Sequence, residues 1–374
     1  MTKDRRAWVW LGLVVVVAAL ALDILHRQDR TGVDFHTYLA AARVGLWHGW
    51  AHLYDQRMVA QEQKTLVPYQ LSQPFLSPPT VAWLAAGLTG LPYQAAYVVW
   101  ALLTFTALAG ALAWASVSQG VSRWVAVVGA LAPWWVMHAV NVGQVVPLVA
   151  ASAVVSWRLL RDRRDVAAGL VLSAVLLKPN TASLVPFVLL IIGRRRAFLA
   201  WLGAAAAIVV VAGWLLGAHG LSPYVAQLTS PLPIGADALT LHSVLGVNGL
   251  ALMLVRAVIV VAVFAGAYRL RAEVGLAIPL AIVGSLVIAP YLHGSDLCLL
   301  AAAAWMVWEA RPAASWRVPL AAAWVVATPF FFNRGLTPTL NRWPWFELAL
   351  LLALMVSAWR PLTAEADLRT RAPA

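Results

Sequence analysis

The stretch YQAAYVVWALLTFTALAGALAWAS, residues 93–116, carries no charged side chain along its whole length. At about 1.5 Å per residue, a helix of that length reaches across the ~30 Å hydrocarbon core of a bilayer. Residues 197–217 read the same way, and residues 7–25 are also read as a span, with one charged residue, Asp23, near the end. Outward from these, further apolar segments fall at 79–90, 124–138, 143–160, 166–177, 181–192, 250–268, 274–289, 297–308, 318–331 and 345–358. The 374-residue chain is 62% hydrophobic and 11% charged, whereas an ordinary soluble domain carries about 25% charged residues. The predicted fold class is an all-α polytopic membrane protein, with about 10–12 membrane helices and one or two half-spans.

The formal net charge of +12 invites a nucleic-acid reading until its placement is considered. The cations cluster between apolar spans, at 3–6, 158–164, 194–196, 269–271 and 360–371. This is the positive-inside pattern of cytoplasmic loops, and no nucleic-acid partner is expected. The basic N-terminus places residues 7–25 as an uncleaved anchor leading outward. A single membrane-embedded domain, 1–374, follows: an external loop at 26–77, spans with broken helices at 79–192, C-terminal spans at 197–358 and a cytoplasmic tail at 359–374. Asp34, His219, Asp237, His293 and Asn333 are then external, and Arg163, Arg195, Arg271 and Arg369 cytoplasmic. The count fails before residue 194 unless one early segment enters and leaves by the same face. Residues 79–90 are short and flanked by proline; residues 124–138 are broken by Pro133 and followed by Asn141 and Gln144. Either can be the half-span, and broken segments at membrane depth point to a binding site.

Several residues could carry chemistry. Read as a helix, the segment from Asp34 places Tyr38, Ala41, Gly45 and His48 within ~40° of one line. Phe35, Leu39, Ala42, Leu46 and Trp50 form a neighbouring apolar stripe, as in a helix lying on the membrane surface. Asp34 is then either a helix N-cap or a carboxylate offered to a substrate. Lys178, one of three lysines, sits at the tip of a hairpin between two clusters predicted to be cytoplasmic. Its arms are too short to span, so the ammonium lies within the membrane and needs an anion or a wet cavity. The spans beside it provide no carboxylate, and a ligand phosphate is the expected partner. His293 and Asp296 share a short external turn, where the Asp either orients the imidazole or meets a substrate. Asn141 and Gln144 can donate at the helix break, and Asn248 marks an external span end. The single Cys298 excludes an intrachain disulfide. No phosphate-binding glycine loop, His-Glu-x-x-His, Gly-x-Ser-x-Gly or Asp-x-Asp motif is present. No cofactor or metal is expected, and a lipid-linked sugar donor suits the chain better than a nucleotide sugar.

An external Asp-x-x-x-Tyr at Asp34 and Tyr38, then Leu53-Tyr54, a proline-rich approach at Pro74–Pro79, Gly143-Gln144 and Leu177-Lys178-Pro179 occur in this order. Together they resemble glycosyltransferase family 87, over roughly residues 1–300. The resemblance implies a GT-C-type fold in a bacterial cell membrane, with the active site facing outward and Asp34 as catalytic base. It implies transfer of a sugar, most simply mannose, from a polyprenyl-phosphate donor to a glycolipid or envelope-glycan acceptor, by inversion. Lys178 and His293 would bind the donor phosphate; Tyr38, His48, Tyr54, Asn141, Gln144, Asn248 and Asp296 would contact substrate. The Gln73-Pro74-Phe75 approach departs from the more aromatic family pattern. An arabinofuranosyltransferase of the same family is one rival. A secondary transporter or lipid flippase is another, disfavoured by the long external segment and the lack of an inverted repeat.

Overall fold

The computed structural model describes residues 12, 31–229, 239–310, 314–327 and 343–359. The expected first span at 7–25, the tail beyond Trp359, Asp237, Asn333 and Arg369 lie outside the described residues. Among the described residues the chain is helical, with no strands. The helices are α1 (Val33–His48), α2 (Gln56–Leu66), α3 (Pro79–Ala86), α4 (Tyr93–Ala115), α5 (Gly120–Leu131), α6 (Trp134–Asn141), α7 (Val146–Arg161) and α8 (Asp165–Leu172). They continue with α9 (Val185–Ile191), α10 (Arg195–Thr229), α11 (Leu241–Leu245), α12 (Gly249–Arg269), α13 (Val274–Ile288), α14 (Cys298–Glu309), α15 (Ala314–Ala327) and α16 (Trp343–Ser357). Helices α4, α10 and α12 are each long and apolar enough to cross a membrane, and α5 with α6 form a fourth span bent by 64°. The protein is a multi-pass membrane protein.

The bundle has two chemically distinct ends, and hydrogen bonds define both. At one end the Tyr93 hydroxyl, in the first turn of α4, donates to the Gly32 carbonyl at 3.0 Å. At the other, Arg158 near the end of α7 donates to the Ala115 carbonyl at 3.4 Å. There too the buried Glu309 carboxylate accepts the Val117 and Ser118 backbone N–H groups at 2.6 and 2.8 Å. Those amides follow the last turn of α4, and the carboxylate gives them the partner that burial demands.

These anchors place the early segments along the bundle. Residues 31 and 93 meet at the same end, so the chain through α3 does not cross. The α5–α6 pair instead runs from Ser118, at the Glu309 end, to Asn141 beside Gly32. Helix α3 thus stays at the Asp34 end, while α5 and α6 together run from one end of the bundle to the other. The Arg158–Asp162 pair and the Arg194–Asp165 pair then sit at the end opposite Asp34.

Helix α1 differs from the expectation. It forms over the predicted residues, but Phe35, Leu39, Ala40, Ala41, Ala42 and Val44 are all fully buried. It is not a surface helix with one apolar side in lipid. Its neighbours α2, α3 and α4 close over it, so most of the polar line and of the apolar stripe face protein, with Leu46, Trp47 and His48 exposed at its end. On the same side α10, kinked at Gly217, carries Tyr224 onto Tyr54, with ring centroids 4.6 Å apart.

Candidate active site

The site begins with a backbone requirement. A buried helix N-terminus leaves amides that must find acceptors. The N-cap of α1 is Gly32, in the left-handed region at φ 70°. The Gly32 and Asp34 N–H groups donate to the Asn141 and Val142 carbonyls, each at 2.8 Å. Those carbonyls become available because α6 ends there, turning through Gly143 at φ 73°. A Cβ at position 143 would lie 2.5 Å from the Phe35 Cβ, so glycine alone permits this approach. The turn that ends α6 thus caps α1, and the Asp34 side chain is released from capping.

Gln144 follows directly. Its Oε1 accepts from the Tyr38 hydroxyl at 2.5 Å and from the Val145 amide at 3.1 Å. With the oxygen so engaged, the amide nitrogen faces the other way and donates to Asp34 Oδ2 at 2.9 Å. Asp34 Oδ1 carries no hydrogen bond. The carboxylate lies deep in the protein yet keeps part of its surface open to solvent, as a group lining a cavity does. Burial raises its pKa above the usual carboxylate value, partly offset by the charges of Lys178 and His293. Burial, with the Asp34 charge adding to it, holds the Tyr38 hydroxyl well above its ordinary pKa. It remains a donor.

Lys178 is placed by two tight 3-10 turns, Ser173–Leu177 and Pro179–Thr181, between α8 and α9. The expectation that no protein carboxylate would reach it is corrected. Asp296, from the turn Gly294–Leu297 before α14, stands 2.5 Å from its ammonium. The pair is buried, with Asp296 fully covered and Lys178 9% exposed. Sequence reading missed it because the two residues are far apart in the chain and the carboxylate lies on a turn outside the spans. Asp296 Oδ2 accepts the His293 backbone N–H at 2.9 Å, so the Asp holds the turn through the main chain and does not reach a substrate directly. The His293 side chain is exposed beside Tyr291.

The structure thus gathers Asp34, Tyr38, Gln144, Lys178, His293 and Asp296 into one cluster. Tyr54 stands at its border, donating to the Ser77 carbonyl at 2.9 Å. Asn141 is buried, its side chain accepting from Thr31 at 3.1 Å; it supports α1. His48 is exposed at the far end of α1, about 20 Å from Asp34 along the helix. Asn248 is exposed at the start of α12. Neither joins the cluster. Sequence reading overlooked Tyr224, which lies against Tyr54, and Arg256, whose signal was an arginine inside an apolar span. An apolar cleft between α5, α14 and α15, walled by Trp305, Trp308 and Trp324, lies apart from these groups.

Residues 75–329 match the sequence profile of glycosyltransferase family 87. Comparisons with curated proteins and with solved structures return no match. The matched segment, about two thirds of the chain, holds Gln144, Lys178, His293 and Asp296 and begins after Asp34. On that match, the chain belongs to glycosyltransferase family 87.

Proposed function

We propose that this glycosyltransferase moves a sugar, most simply mannose, from a polyprenyl-phosphate donor to a glycolipid or envelope-glycan acceptor. The reaction takes place at the external face of a bacterial inner membrane. The observation that carries the reading is the state of Asp34. One carboxylate oxygen is fixed by Gln144, the other is free, and burial strengthens its basicity.

Asp34 takes the proton of an acceptor hydroxyl as that oxygen bonds to the anomeric carbon. The bond from the anomeric carbon to the phosphate oxygen breaks, and its electron pair leaves with the polyprenyl phosphate. The second carboxylate in the cluster, Asp296, is occupied by Lys178 and the His293 amide. Among the described residues of the cluster no second carboxylate is left free as a nucleophile, and direct displacement inverts the anomeric centre. His293, exposed beside the pair, is placed to meet the leaving group.

The test is incubation of purified protein with radiolabelled polyprenyl-phosphate mannose, polyprenyl-phosphate arabinofuranose or a nucleotide sugar, plus a membrane lipid extract. Transfer from the mannose donor to a lipid or glycan product is expected. Transfer from the nucleotide sugar alone overturns the donor class. Movement of the lipid across the bilayer without transfer favours the flippase.

A further inference from the structure

Lys178 is not a free cation, because Asp296 matches its charge at 2.5 Å. With Asp34 also present, carboxylates outnumber lysine in the cluster, and the negative charge of an incoming phosphodiester meets repulsion unless another cation stands near. Arg256 is such a cation. It is the one charged residue in α12 before Arg269, seven residues and about 10 Å along the helix. Its Nη2 donates to the Ala289 carbonyl at 3.1 Å, its Nε is buried without a partner, and no described carboxylate lies in ion-pair range. Ala289 opens the turn that carries Tyr291, His293 and Asp296. Asn180, two residues from Lys178, donates to the Tyr291 carbonyl at 3.3 Å. Arg256 therefore holds the start of the turn that carries the partner of Lys178. On the same helix Leu250, Met253, Leu254 and Val258 are between 58% and 71% exposed, an apolar face suited to lipid. An arginine at that depth is costly and needs an anion or water.

We propose that Arg256 docks the phosphate of the lipid-linked donor, which enters laterally between α12 and the 289–297 turn. This assignment rests on the polyprenyl-phosphate reading above. The carbonyl contact uses one of five guanidinium N–H groups, and the remaining Nη N–H groups can grip phosphate oxygens as a fork. A merely snorkelling arginine would accept any anionic headgroup, so the same chemistry could come from bulk lipid.

The full-length protein in detergent is titrated with a long-chain polyprenyl monophosphate, the matching polyprenol, and phosphatidylglycerol. Arg256→Met should weaken binding of the monophosphate by about 10–100-fold and leave the polyprenol unchanged. Arg256→Lys, which keeps charge but loses the fork, should fall between; it carries the test if the Met variant unfolds. Unchanged affinity for the monophosphate in both variants overturns the assignment. Equal losses for phosphatidylglycerol reduce Arg256 to a general headgroup contact and also overturn it. Wild-type protein that does not bind the monophosphate at all overturns the donor reading itself, and this assignment with it.

Discussion

At the scale of single residues, Asp34 and the Lys178–Asp296 pair make different demands. Asp34→Asn keeps shape and removes the base, so turnover should fall by about 10²–10⁴-fold with donor binding retained; near-normal turnover would remove Asp34 from the mechanism. Because burial raises its pKa, the acid limb of kcat/KM should lie above the usual carboxylate range and vanish in the Asn variant. The same shift sets a stability sign. The native state holds the Asp34 proton more tightly than the unfolded chain, so stability falls as pH rises from the unfolded pKa through the native one. At neutral pH, Asp34→Asn should therefore unfold at an equal or higher temperature. Lys178→Met acts oppositely. It leaves Asp296 buried without its cation, at a cost of about 3–5 kcal/mol, and Asp296→Asn in the same chain should recover part of the loss in thermal unfolding. If Lys178→Met were as stable as wild type, the pair would carry no structural role.

At the scale of elements, the break after α6 positions the site. Gly143→Ala forces a positive φ on a side chain and drives its Cβ toward Phe35. The expected result is a loss of about 1–3 kcal/mol together with reduced turnover, since Gln144 moves with the turn. Full turnover in a stable Ala variant would show that the break need not hold this geometry. Glu309 plays a comparable part at the other end. Glu309→Leu strands two buried amides and should cost about 1–3 kcal/mol for each, read as a lower unfolding temperature, without a change in donor affinity.

At the scale of the whole molecule, the two-ended bundle predicts which residues face each side. In a Cys298→Ala background, where the native thiol is fully buried, cysteines at positions 34, 219 and 293 should label from outside. Those at 163, 195 and 271 should label from the cytoplasm. Labelling of position 34 only from the cytoplasm would invert the bundle and remove the external site. The uncharged length of residues 93–116 and its repetition along the chain were enough to make this a multi-pass membrane protein, because bilayer thickness acts on each segment locally. The order of weak motifs from Asp34 to Lys178 was enough to suggest the family. What the sequence could not carry was the pairing of groups distant along the chain. Lys178 finds Asp296 across 118 positions, Gln144 aims at Asp34 because Tyr38 and Val145 occupy its oxygen, and α1 is buried because three helices close over it. His48 shares the helical line of Asp34 yet lies about 20 Å away along it, since periodicity gives direction and not depth. Span lengths and loop charges are properties of segments; which carboxylate stays free and which is neutralised depends on contacts that exist only once the helices pack.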